Sequence, residues 1–134
     1  FKMAKKYYKL AAQQNNSISY YRLGKLYAKG EFLKRDLNKA LEYYKKSSDQ
    51  DNPVAIYKLG RLYEKGEIVQ RNYEKAKYYY ELLLNKKDSF ALFRLAKMHS
   101  NNDIFDVDIQ KAIEYYKECS EIHFEEIITE IEND

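Results

Sequence analysis

The sequence predicts an all-α fold, an α/α superhelical solenoid of 36-residue helix-turn-helix repeats. Three observations carry that reading: a fixed period, helical spacing of apolar residues within each period, and start and stop signals at matching places. Leu23, Leu59 and Leu95 stand 36 residues apart, inside LGKLYAKG, LGRLYEKG and LAKMHSNN. Ala4, Ala40, Ala76 and Ala112 keep the same step, as do Tyr7, Tyr43, Tyr79 and Tyr115 and their neighbours Tyr8, Tyr44, Tyr80 and Tyr116. A period of this length marks stacked copies of one supersecondary unit, each too small to bury its apolar face alone. The 134 residues thus read as one array: the second half of a repeat (1–22), full repeats at 23–58, 59–94 and 95–130, and a remainder at 131–134. Because it opens on Phe1 in the middle of a repeat, the chain reads as an excerpt.

Each element has a local cause. A B helix near 2–13 presents Met3, Tyr7 and Leu10 on an apolar face without its A partner, a face that needs cover. The first A helix, near 17–29, starts at Asn16, a good N-cap, and places Tyr20, Leu23, Gly24 and Tyr27 at i, i+3, i+4, i+7. Gly30 tolerates the left-handed conformation that closes a helix. Asp36 opens the next B helix (37–48), which turns Ala40, Tyr43, Tyr44 and Ser47 to the seam. Asn52 and Pro53, the latter at the first helical position, start a helix over 53–65 that ends at Gly66. Asn72 opens 73–85, Asp88 opens 89–100, and Asn102 takes the place of the closing glycine. Asp108 opens 108–119, and a terminal helix near 122–132 follows, where Glu125, Glu126, Glu130 and Glu132 form the polar outer side of a cap. The links Glu31–Arg35 and Glu67–Arg71 carry Phe32, Leu33, Ile68 and Val69, which predicts that they tuck against their hairpins. Gly24 and Gly60 do not make a phosphate loop, since the spacing and the hydroxyl are wrong. Ala96 in the same slot says that smallness is needed where two helices cross, with Ala40 opposite.

Composition narrows the function. With 34% charged residues and no long apolar run, a membrane span is excluded. Nothing resembles a signal peptide. One cysteine, Cys119, forbids an internal disulfide and fits a reducing, cytoplasmic setting. His99 takes the slot of Tyr27 and Tyr63 and reads as a packing residue. His123 with Glu126 lacks the further ligands a metal needs. Cys119 fills the small slot of Ala11 and Ser47, without an adjacent base. The Asn15-Asn16-Ser17 sequon is a short, chance-prone pattern. No catalytic residue, metal site or cofactor is expected, and the chain is not read as an enzyme.

The pattern L-G-x-L-Y-x-x-G, a loop, then D/N-x-x-K-A-x-x-Y-Y resembles the Sel1-like repeat, a relative of the tetratricopeptide repeat. Leu23, Gly24, Tyr27, Gly30, Asp36, Ala40, Tyr43 and Tyr44 match it, and so do Leu59, Gly60, Tyr63, Gly66, Asn72, Ala76, Tyr79 and Tyr80. The third repeat departs most, with Ala96, Met98, His99 and Asn102. The resemblance implies a non-catalytic adaptor or scaffold for protein–protein interaction. In the tetratricopeptide relatives A helices line a concave groove, and the resemblance places Ile18, Tyr21, Lys25, Val54, Tyr57, Arg61, Phe90, Phe93 and Lys97 on its peptide-contacting face.

Charge gives that face a character. Residues 1–22 carry five bases and no acid, residues 23–58 and 59–94 eight bases and five acids each, and residues 95–134 three bases and eleven acids. Such a gradient reads either as drift of solvated faces or as acid-to-base contact between the ends of neighbouring molecules. On the exposed arc of the A helices, Tyr21, Tyr57 and Phe93 form an aromatic row beside Arg22, Lys58 and Arg94 and then Lys25, Arg61 and Lys97. The expected partner is an acidic protein or peptide segment. Two alternatives remain: a nucleic-acid-binding surface, which the acidic last repeat disfavours, and the accessory repeats of a larger enzyme.

Overall fold

The computed structural model describes residues 3, 6, 9, 10, 13, 16–31 and 33–133. Its helices are α1 (Ser17–Lys29), α2 (Leu37–Asp49), α3 (Pro53–Lys65), α4 (Tyr73–Leu82), α5 (Ser89–His99) and α6 (Ile109–Asn133), with a 3-10 turn at Leu84–Lys86. No strand occurs among the described residues. The chain divides into two compact units, 1–76 and 77–134. Of the expected helix near 2–13, Met3, Lys6, Lys9, Leu10 and Gln13 are helical and exposed; its other residues, Tyr7 included, and Phe32 of the first link lie outside the described residues.

Local signals act as the sequence predicts in the first unit. The Asn16 side chain accepts from the Ile18 and Ser19 amides at 3.0 and 3.1 Å, and Asn52 accepts from Val54 and Ala55 at 3.0 and 3.2 Å. These bonds satisfy amides that have no partner within the helix. Gly30 (φ 69°) and Gly66 (φ 77°) donate to the Leu26 and Leu62 carbonyls at 3.1 and 2.9 Å. One bond closes every hairpin: Asp36, Asn72 and Asp108 donate their amides to the carbonyls of Tyr27, Tyr63 and His99 at 3.1, 2.9 and 3.0 Å.

The core of the first unit lies in the α1–α2 hairpin and between α2 and α3. Leu23, Ala40, Tyr44, Ala55, Ile56 and Leu59 are buried there. Gly24 faces the Tyr44 ring so closely that a Cβ would lie 2.6 Å from Cε1 and 3.1 Å from the Ala40 carbonyl oxygen. Smallness at the crossing is therefore a steric demand. Overpacking costs about 1–3 kcal/mol and the helix gains about 1 kcal/mol when Gly becomes Ala. Gly24→Ala should thus lose about 1 kcal/mol net in denaturant titration, a loss that a smaller ring at position 44 relieves. The Ser47 hydroxyl donates to the Ser17 carbonyl at 2.7 Å, and the Asn52 amide group donates to the Ser17 hydroxyl at 3.3 Å.

In the second unit α5 packs on α6, around buried Ala91, Leu92, Leu95, Ala96 and Met98. The Cys119 thiol donates to the Ser89 carbonyl at 3.3 Å, as Ser47 does to Ser17. Four expectations change. The helix from Tyr73 ends at Leu82, not at 85, and tightens into the 3-10 turn. The third hairpin is not closed by a left-handed Asn102: α5 ends at His99, and Ser100 (φ −93°) caps it. There the Ser100 hydroxyl donates to the Lys97 carbonyl at 2.9 Å and Asn101 Oδ1 accepts from the Asp103 amide at 2.9 Å, so short polar side chains stop the helix one residue before the expected 100. The expected helices 108–119 and 122–132 are one 25-residue helix, α6. The N-cap slot of Asn16, Asn52 and Asp88 falls on Phe124, and the preceding Glu121, Ile122 and His123 contain no breaker, so nothing ends the helix. Its outer side is not a polar cap either, since Phe124 and Ile131 are each 64% exposed.

Candidate partner-binding surface

On the first unit, Tyr21, Val54, Tyr57, Lys58, Arg61, Leu62, Lys65 and Glu67 line one cavity of about 290 Å³. α1 supplies Tyr21 and α3 supplies Val54 to Lys65, so the helical spacing of the exposed arc builds the wall. Ile18 and Val54 are exposed, and Arg22 and Lys25 reach solvent. Tyr21 is half-buried, with its ring 5.6 Å from that of Tyr44. The Lys25 ammonium lies 5.8 Å over the Tyr21 ring and Lys58 lies 6.0 Å over that of Tyr44. These cation–π contacts order long cationic side chains against the cavity wall. Burial raises the Tyr21 phenol, and burial with Tyr21 beside it pushes Tyr44 up to about 12, so both rings are neutral donors at physiological pH.

Arg61 differs from the sequence reading. Its guanidinium pairs with Glu64 at 3.4 Å, and its side chain is 23% exposed, so it is a half-buried ion-pair member and not a freely exposed cation. Leu62, Lys65 and Glu67 were missed. A signal existed for Lys65, since Lys29, one repeat step earlier, lies on the exposed arc, whereas Leu62 and Glu67 lie off it.

The second unit repeats part of the arrangement. Phe90 and Phe93 are exposed, Arg94 is half-buried, and Lys97 lies 5.4 Å over the Phe93 ring as Lys25 lies over Tyr21. Phe93 meets Tyr116 edge-on at 6.1 Å.

The other candidate groups have structural explanations. His99 is buried between the rings of Phe105 and Tyr115 at 5.7 and 5.9 Å, and its Nε2 has no hydrogen-bond partner. Burial, then Lys77 and Lys111, lowers its pKa, against the smaller opposing pull of Asp108 and Glu81. The neutral ring is the folded form, so its contribution to stability is full above the unfolded value of about 6.5 and is lost as pH falls through the depressed folded value. Thermal unfolding of the second unit should shift to lower temperature between pH 7.5 and pH 5, and His99→Tyr, the residue type of the other repeats, should flatten that dependence. Burial, then Glu126, raises the Cys119 thiol, which favours the unreactive protonated form. His123 and Glu126 are exposed on α6 at 3.9 Å, and no group of three possible metal ligands occurs among the described residues. No helix in the described residues is long and apolar enough to cross a membrane.

Helical hairpins recurring at a 36-residue step, opened by Asn or Asp caps and closed by one recurring backbone bond, define an α/α repeat protein. The chain belongs to the Sel1 repeat family: the model of that repeat matches residues 1–16, 17–52, 53–88 and 89–118. Among solved structures it is similar to a protective antigen of uropathogenic Escherichia coli strains that displays an SLR fold, with TM-score 0.79 and 26% identity over 89% of this chain and 26% of that one. It is also similar to a Sel1 repeat protein from Oxalobacter formigenes, with TM-score 0.69 and 27% identity over 80% of this chain and 44% of that one. The chain thus spans about a quarter and under half of these relatives. No curated protein matches it. Proteins of this family generally mediate protein–protein interactions and generally act as non-catalytic scaffolds.

Proposed function

We propose that this Sel1 repeat chain is a protein-interaction scaffold whose first unit holds an acidic, partly apolar segment of a partner in the α1–α3 cavity. The observation that carries this reading is the composition of the cavity wall: Tyr21, Tyr57, Val54 and Leu62 offer apolar area, while Lys58, Arg61 and Lys65 surround it with one acid, Glu67. Aromatic faces supply contact area at low entropic cost, and the cations steer and orient an acidic ligand. Phe90, Phe93, Arg94 and Lys97 offer the same chemistry on the second unit. The free thiol of Cys119 suits a reducing, cytoplasmic setting.

The test is fluorescence anisotropy with a labelled peptide of alternating glutamate and leucine or phenylalanine. Lys25→Glu, Lys58→Glu and Lys65→Glu combined should weaken binding about tenfold or more, since reversal replaces attraction with repulsion at short range. Added salt should weaken the wild-type complex more than the variant's. Unchanged affinity with helicity preserved would remove this cavity as the working surface. Arg61 is left alone because its reversal also breaks the pair with Glu64.

A further inference from the structure

Helix α6 carries an apolar stripe that the fold leaves uncovered. Ile109, Ile113, Tyr116, Phe124, Ile128 and Ile131 are between 37% and 64% exposed. Their spacing keeps them within one arc of a helix turning about 100° per residue, so the stripe runs along the axis. The face packed on α5 is formed by Ala112, Tyr115 and Cys119, with Tyr116 at its border, edge-on to Phe93 of α5 at 6.1 Å.

The first unit shows what normally covers this face. Two repeat steps earlier, the counterparts of Ile109, Ile113 and Tyr116 are Leu37, Leu41 and Tyr44 of α2. There α1 and α3 together leave Tyr44 only 1% exposed, with Gly24 and Tyr21 of α1 against its ring and Lys58 of α3 over it at 6.0 Å. Tyr116 is 37% exposed. The turn that brings α3 back onto α2 runs through Gln50, Asp51 and Asn52, with Asp51 at φ 63°. In α6 the equivalent residues are helical, so residues 121–133 continue the helix where the first unit turns. The helix is also acidic: Glu114, Glu118, Glu121, Glu125, Glu126, Glu130 and Glu132 against Lys111 and Lys117.

We propose that the Ile109–Ile113–Tyr116 face of α6 docks a basic amphipathic helix of another polypeptide, which takes the place that α3 takes on α2. Its apolar positions cover Ile109 and Ile113, a Lys or Arg lies over the Tyr116 ring as Lys58 lies over Tyr44, and further bases meet the glutamates. Pairing of two α6 helices is disfavoured by their like charge. The surface is distinct from the cavity on α1 and α3 and selects a partner of opposite charge, so the chain would bridge a basic ligand and an acidic one.

The probe is a labelled, end-capped peptide with the sequence of residues 52–65, which carries Lys58, Arg61 and Lys65 against Glu64. Anisotropy titrations use the whole chain, and a control peptide has the three bases replaced by glutamate. The basic peptide should bind, the control should bind at least tenfold more weakly, and Ile109→Asp with Ile113→Asp should abolish binding with unchanged circular dichroism, because both positions are exposed. No binding of the basic peptide at about 1 mM, or binding indifferent to the α6 substitutions, overturns the proposal. If light scattering instead finds a dimer that the same substitutions dissociate, the occupant is a second copy and the proposal is equally wrong.

Discussion

Replacement of Tyr44 by alanine should destabilise the first unit by about 3–5 kcal/mol, the range for deleting a buried aromatic ring. The ring is 1% exposed and wedged between Gly24, Tyr21 and Lys58, so its removal opens a cavity shared by α1, α2 and α3. Gly24 has no side chain that could move into that cavity. Total stabilities of small domains are about 5–15 kcal/mol, so this one change removes a large part of the margin. Urea unfolding followed by circular dichroism measures it. A loss below about 1 kcal/mol would mean that α3 does not seal α2. Tyr44→Phe should cost far less, since the neutral phenol contributes mainly its ring.

The second large effect separates repeat register from burial. Leu23, Leu59, Leu95 and Ile131 stand in one column of the repeat, but the leucines are fully buried whereas Ile131 is 64% exposed. Leu95→Ala should cost about 2–5 kcal/mol and Ile131→Ala less than about 0.5 kcal/mol. Hydrogen exchange should place the loss for Leu95→Ala in α5 and in the first half of α6, where α5 packs. Equal costs at the two positions would require Ile131 to sit in a core, and with it a helix break near Ser120.

The repeat column explains what was legible in the sequence. Caps and stops are local, so Asn16, Gly30, Asp36, Asn52 and Gly66 announced their helices correctly. Register also announced the tight crossing at Gly24, because Ala96 marked the slot as small. Legibility ended where a slot holds a residue that breaks the column. Phe124 in a cap slot let α6 run on, and Ser100–Asn101 ahead of Asn102 ended α5 through local hydrogen bonding that period alone does not encode. The candidate surface was legible as residue types on an arc, while its pairing was not. Sequence spacing does not distinguish an exposed Lys25 from an Arg61 held by Glu64, since that depends on which side chains approach across a turn. The apolar face of α6 stayed hidden because Tyr116, Ile128 and Ile131 stand where inner repeats bury Tyr44, Ile56 and Leu95.

On the proposed function, partners meet this chain on the α1–α3 cavity of the first unit. Site-specific photo-crosslinking tests it most directly, with a photoreactive amino acid placed either at Val54, 54% exposed on the cavity wall, or at Tyr78, 58% exposed on α4 and outside the cavity. The acidic probe peptide should crosslink to the Val54 variant in a salt-sensitive way and hardly at all to the Tyr78 variant. Crosslinking that is equal at both positions, or stronger at Tyr78, contradicts it.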